Sequence, residues 1–167
     1  MRASERLFGR HAVIRFGRAD WQDVIEQLQL RAGGRRESGA FLLARPADAR
    51  RVSRVLYFDD LDPGSLDGGV HLRAGAFSAL WDLCRQDALV VVGDVHTHPG
   101  DWVGQSEIDR GSPLVGREGH LALIVPRLAS GRVLPRDIGL HRYDGGTAWT
   151  SWSGAEAAAR VYAGRWP

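Results

Sequence analysis

The sequence predicts a mixed α/β fold, a curved mixed β-sheet flanked by helices in a single compact domain over residues 1–167. Short apolar runs of strand length alternate along the chain with stretches whose apolar residues recur at helical spacing. The 167 residues, 44% hydrophobic, suffice for one core and leave no room for a second catalytic domain. No internal repeat or low-complexity linker divides them.

Ala12 to Phe16 forms a first strand, after which Asp20 is expected to cap a helix with the apolar stripe Trp21, Val24, Ile25 and Leu28. Gly33 and Gly34 stop that helix. Glu37 to Ala44 (ESGAFLLA) and Arg51 to Phe58 (RVSRVLYF) are neighbouring strands across a turn at Pro46, and Asp59 to Gly69 is a loop. A second helix carries Phe77, Leu80, Trp81 and Cys84 at helical spacing, which makes Cys84 a core residue rather than a nucleophile. Leu89 to Val95 is a short apolar run of the kind that forms a central strand, and it delivers His96 and His98 at its end. Gly119 to Pro126, Ile138 to Tyr143 and Thr147 to Trp152 are further strands, the last two joined by a hairpin turn at Asp144 to Gly146. Ala155 to Ala163 closes the chain as a helix.

Composition narrows the function classes. A charged fraction of 25% and six Trp argue for a folded globular protein. The opening MRASERLFGR lacks a signal-peptide apolar stretch, and no segment approaches the roughly 20 apolar residues of a membrane span, so a cytoplasmic protein without a membrane partner is expected. Cys84 is the one cysteine, which rules out a disulfide framework or a Cys-rich zinc site. The pI near 9.2 accompanies a net charge of only +2 with scattered arginines, so nucleic acid is not the expected partner. All 22 basic residues are Arg. A GC-rich genome accounts for that bias; escape from a lysine-conjugating system is the sharper alternative.

The chemistry concentrates between Val95 and Pro113. Two His at i and i+2 at a strand end face one way, about 6 to 7 Å apart along the chain, and can converge on one ion. A His-x-His pair alone is a weak signal, but Asp109 from the next element would complete a three-ligand set that leaves a fourth position for water, the arrangement of a catalytic site. Ser106 and Asp109 also match a helix capping box, and by spacing alone the cap and the site fit equally well. A hydrolytic site further needs a base. Glu37, opening an apolar strand, is the best candidate, with an ordinary exposed charge as the competing explanation; Glu107 is a weaker rival expected to point away. Trp102 can wall a substrate channel or anchor its loop on the core. Asp59, Asp60, Asp62 and Asp67 can attract a basic tail or simply be a solvated loop.

The stretch His96-Thr97-His98-Pro99, seven residues from Pro99 to Gln105, then Ser106-Glu107-Ile108-Asp109 resembles in full the JAMM motif, His-x-His-x7-Ser-x-x-Asp, of the JAB/JAMM (MPN+) metalloproteases. ESGAFLLA resembles the strand in which bacterial members place their glutamate, written Glu-Thr-Gly-Gly before an aliphatic run. Here Ala40 replaces the second glycine, which bears on how closely a substrate backbone approaches that strand. The later GHLALIVPRLASG is also similar to bacterial JAB sequences. The resemblance covers about residues 37–152, with the N-terminal strand and helix (1–36) and the C-terminal helix (153–167) outside it.

The resemblance implies an MPN/JAB-like (cytidine-deaminase-like) fold and one catalytic Zn2+ held by His96, His98 and Asp109. It also implies Glu37 as general acid and base, and Ser106 as a hydrogen-bond donor to the oxyanion. The implied function is that of an isopeptidase or peptidase cleaving at the C-terminal tail of a ubiquitin-like protein, alongside E1-like or E2-like proteins of a bacterial conjugation system. A JAB peptidase freeing an amino acid such as cysteine from a sulfur-carrier protein has the same site. A metal-free MPN-like scaffold would typically have lost ligands that this chain keeps.

Overall fold

A computed structural model describes residues 12–164. The N-terminal stretch inspected for a targeting signal, residues 1–10, lies outside them. β1 (Ile14–Gly17) leads directly into α1 (Arg18–Ala32). β2 (Gly39–Ala44) and β3 (Val52–Tyr57) follow, then the single-turn α2 (Phe58–Leu61) and α3 (Ala74–Gln86). β4 (Val90–Thr97) precedes the short α4 (Glu107–Gly111), after which come β5 (Leu121–Val125), β6 (Gly139–Gly145), β7 (Ala148–Trp152), α5 (Gly154–Arg160) and β8 (Val161–Gly164).

The main sheet has the order β3-β2-β4-β5-β6-β7. Only β4 and β5 pair in parallel, and the other neighbours are antiparallel, so the expected mixed α/β sheet flanked by helices is what the chain forms. Strand alternation sorts its side chains into two cores. On one face the α1 stripe Trp21, Val24, Ile25 and Leu28 packs with Leu42, Val95, Leu123 and Leu140. Fully burying each such side chain contributes about 1.5 to 3 kcal/mol. On the other face Phe41, Leu43 and Val91 pack with Phe58, Leu66, Leu80 and Cys84. β2 is buried along its whole length because it is covered on both faces, which explains its unbroken apolar run. Gly93 lets β4 and β5 close up, since a Cβ there would lie 2.4 Å from the Leu121 carbonyl oxygen.

Several expectations need correction. Asp20 does not cap α1: Gly17 occupies that position, and Asp20, three residues on, accepts the Gly17 N–H at 3.2 Å. The chain turns helical at Phe58, so the third strand ends a residue early and part of the Asp59 to Gly69 loop is helix α2. Trp81 points outward, 38% exposed, while Leu80 and Cys84 are buried. The final helix stops at Arg160 rather than Ala163, because Val161–Gly164 pairs in parallel with Ile14–Gly17 in a separate two-stranded sheet. Extended pairing with a distant partner overrides the helix-forming alanines there. The hairpin at Asp144 to Gly146 is present, with Gly145 and Gly146 at φ of 94° and 60°, where a side chain would be strained.

Among the described residues no helix is long and apolar enough to cross a membrane.

Candidate metal centre

β4 places Asp94 and His96 on the face of the sheet that carries Phe41 and Phe58, and His98 continues this alternation just past the strand end. The His98 N–H donates to the Val125 carbonyl at 2.9 Å, which extends the β4·β5 pairing by one residue. Beyond it, the Leu128 N–H donates to the His98 carbonyl at 2.8 Å and the Arg127 N–H to that of Gly100 at 2.9 Å. Arg127, Leu128 and Ala129 all have left-handed backbone, at φ of 53°, 52° and 60°. A run of such residues without glycine is costly and persists only where its surroundings hold it; here it clamps the loop that leaves His98.

Asp109 arrives from α4, and the capping box and the site are one structure. The Ser106 Oγ accepts the Asp109 N–H at 3.1 Å, and Asp109 Oδ2 accepts the Ser106 N–H at 2.8 Å. That reciprocal pair aims the Asp109 carboxylate at both imidazoles and leaves the Ser106 hydroxyl hydrogen free to donate. Trp149 of β7 steadies the same helix by donating its indole N–H to the Arg110 carbonyl at 3.1 Å.

The donor spacing fits a metal. His96 Nε2 and His98 Nε2 are 3.3 Å apart, His96 Nε2 and Asp109 Oδ1 3.6 Å, and His98 Nε2 and Asp109 Oδ2 3.5 Å. Two donors held about 2.0 to 2.2 Å from one tetrahedral ion lie about 3.3 to 3.6 Å apart, which matches the separation of the two imidazole nitrogens, while Asp109 faces the two rings with different oxygens. His96, His98 and Asp109 therefore form a group that could hold a metal ion, their donor atoms all within 4.8 Å.

Electrostatics favour a cation in the same place. Burial drives His96 toward its neutral form, but the Asp109 and Asp94 carboxylates outweigh it and push the imidazole up to about 10. Burial likewise works to raise Asp109, yet the neighbouring His96 and His98 imidazoles hold its carboxyl far below the ordinary range.

Glu37, His96, Ser106 and Asp109 line one cleft of about 360 Å³, together with His71 and Trp149. Glu37 reaches it because the register opposes Gly39 to His96, so that the chain just before β2 runs beside the His96–His98 segment. Gly39 is bare by necessity: a Cβ would lie 2.3 Å from the Phe58 ring. Glu107 is exposed and does not line the cleft, as expected.

Trp102 does neither of the things anticipated for it. It is 60% exposed and absent from the cleft wall. Its ring stacks on His98 at 5.6 Å, and its carbonyl faces His98 Nδ1 at 3.3 Å. The Asp59 to Asp67 cluster is not a free acidic patch either: Arg31 pairs with Asp59 and Asp60, Arg36 with Asp67, and Arg73 with the buried Asp62.

Four residues of the site carried no signal in the sequence. Asp94 and His120 form a buried hydrogen-bonded pair behind His96, with His120 Nε2 donating to Asp94 Oδ1 at 2.7 Å. His141 donates from Nε2 to the Val103 carbonyl at 3.0 Å and accepts from Ser151, tying the loop between His98 and Asp109 to β6 and β7. Gln105, buried in the cleft wall, has no hydrogen-bond partner for either amide atom among the described residues.

No family model matches the chain. Among solved structures it is similar to a protein from Desulfitobacterium hafniense, at 17% identity and a TM-score of 0.59 over 84% of this chain and 90% of that one. It is also similar to a JAB1/MPN domain protein from Archaeoglobus fulgidus, at 14% identity and 0.49 over 89% and 96%. A protein from Salinibacter ruber matches at 19% identity and 0.45 over 71% and 77%. The first of these likenesses establishes a shared fold and nothing about activity.

Proposed function

We propose that this chain is a zinc-dependent peptidase or isopeptidase of the JAB/JAMM type, acting at the C-terminal tail of a ubiquitin-like protein or its conjugate. The observation that carries the proposal is the convergence of His96, His98 and Asp109, whose donor atoms all lie within 4.8 Å of one another, beside a cleft that also holds Glu37 and Ser106. Three protein donors suit a catalytic rather than a structural zinc ion. The complete motif between His96 and Asp109 supports the choice of family.

Zinc bound by these three residues supplies a Lewis acid for the scissile carbonyl and lowers the pKa of water toward neutrality. Glu37 takes the proton of the attacking water and returns it to the departing amine. Ser106, whose Oγ lone pair is engaged by the Asp109 N–H, donates its hydroxyl hydrogen to the carbonyl oxygen as negative charge develops. Ser106 is not a nucleophile, because both imidazoles of the site face the metal position. An extended tail of small residues, such as a ubiquitin-like C-terminus presents, is the substrate proposed for this cleft.

The test joins metal analysis to cleavage. Purified protein is expected to contain close to one zinc per chain and to release the C-terminal partner from a linear ubiquitin-like fusion. Protein without zinc, and with no affinity for added zinc, would return the chain to the binding-scaffold class. Zinc-loaded protein that cleaves only a C-terminal cysteine from a sulfur-carrier protein would shift the substrate and leave the site intact.

A further inference from the structure

Asp94 and His120 are the most deeply buried ionisable pair beside the centre, at 3% and 1% exposure. The parallel register sets Asp94 next to Ala122, so the segment entering β5 brings His120 within reach. Asp94 Oδ1 accepts from His120 Nε2 at 2.7 Å, while Asp94 Oδ2 lies 3.5 Å from His96 Nδ1. Removing a carboxylate from water costs several kcal/mol, and apolar residues of equal volume would commonly serve stability as well or better. The pair therefore calls for an explanation beyond packing.

We infer that Asp94, held in place by His120, is a positioning residue that fixes the tautomer and orientation of His96 as a metal ligand. The inference rests on the metal-centre reading above. A neutral imidazole carries its hydrogen on either nitrogen, and only the nitrogen without it can bind a metal. A carboxylate at Nδ1 retains the hydrogen there and turns the Nε2 lone pair toward His98 and Asp109, with the added negative charge strengthening the donor. His98 has the equivalent support from the Trp102 carbonyl, a backbone group that no side-chain replacement removes. Asp94 is thus the support that a substitution can reach. His120 acts one step further out, occupying the Asp94 oxygen that His96 does not face.

Zinc affinity measured by chelator competition, with the absorption bands of the cobalt-substituted protein, tests this. Asp94→Asn keeps the volume and removes the charge; it is expected to weaken zinc binding by about 10- to 100-fold and to shift the cobalt bands. His120→Leu removes the donor to Asp94 and is expected to weaken binding, whereas His120→Gln keeps an amide donor and should restore most of the affinity. Wild-type protein that binds zinc while Asp94→Asn stays within tenfold of it overturns this inference alone. Wild-type protein that binds no zinc takes down the metal-centre reading as well. If Asp94→Asn does not fold, the His120 pair decides: affinity retained in Gln and lost in Leu supports the role, and equal affinity in the two overturns it.

Discussion

Ser38 and Thr97 are latched to each other where β2 begins and β4 ends. The Ser38 N–H donates to Thr97 Oγ1 at 2.9 Å and the Thr97 N–H to the Ser38 carbonyl at 2.9 Å, both residues being fully buried. Ser38 also donates its hydroxyl to the Leu28 carbonyl of α1 at 2.7 Å. The latch sets Glu37 on one side against His96 and His98 on the other. Thr97→Val leaves the Ser38 N–H buried without an acceptor and should cost about 1 to 3 kcal/mol of stability in a denaturant melt. Turnover should fall while zinc affinity holds, because the base moves relative to an intact ligand set.

Glu37→Gln separates proton transfer from metal binding. Zinc content should match the wild type, and cleavage of a ubiquitin-like fusion should drop by about 10²- to 10⁴-fold, the usual contribution of a general acid–base group. Unchanged turnover would remove Glu37 from the mechanism.

The pH dependence of zinc binding follows from His96. Its imidazole sits at about 10 in the folded chain against 6.5 when free. The ion pairing it represents is fully present below pH 6.5 and is lost as pH rises through about 10. Metal takes only the neutral imidazole, so binding between those values expels a proton. Affinity should climb by about tenfold per pH unit in that window, and calorimetry in buffers of different ionisation heat should register one proton released. Affinity that is flat from neutral to mildly alkaline pH would contradict the pairing.

Gly93→Ala tests the closeness of the two parallel strands. The added methyl meets backbone of Leu121 rather than a movable side chain, and overpacking of this kind costs about 1 to 3 kcal/mol. A thermal melt checks it, and an unchanged midpoint would mean that β4 and β5 can part without loss.

Cys84 should resist alkylation in native protein and react on unfolding. Burial raises its thiol above the ordinary value, which keeps it protonated near neutral pH. Mass spectrometry after iodoacetamide treatment with and without denaturant decides the matter.

Local pattern made much of this protein legible. The apolar run before His96, the i, i+2 histidines and the Ser-x-x-Asp cap are short-range features, so their elements and the three donors could be named from spacing and resemblance. Cys84 was legible as core for the same reason, since helical period alone places it beside Leu80. Long-range pairing decided the rest. Spacing does not say whether Ser106 and Asp109 cap a helix or serve a site, and the fold has the Asp109 carboxylate complete the cap while lying 3.5 to 3.6 Å from both imidazoles. Nothing near Asp94 announces His120, because the parallel pairing of β4 and β5 brings them together. Residues Val161 to Gly164 become a strand only because Ile14 to Gly17, from the other end of the chain, offers them an edge. Helical period and capping act over a few residues and leave their mark in the local sequence, whereas strand partners and buried hydrogen-bonded pairs are chosen by contacts that exist only once the chain has closed on itself.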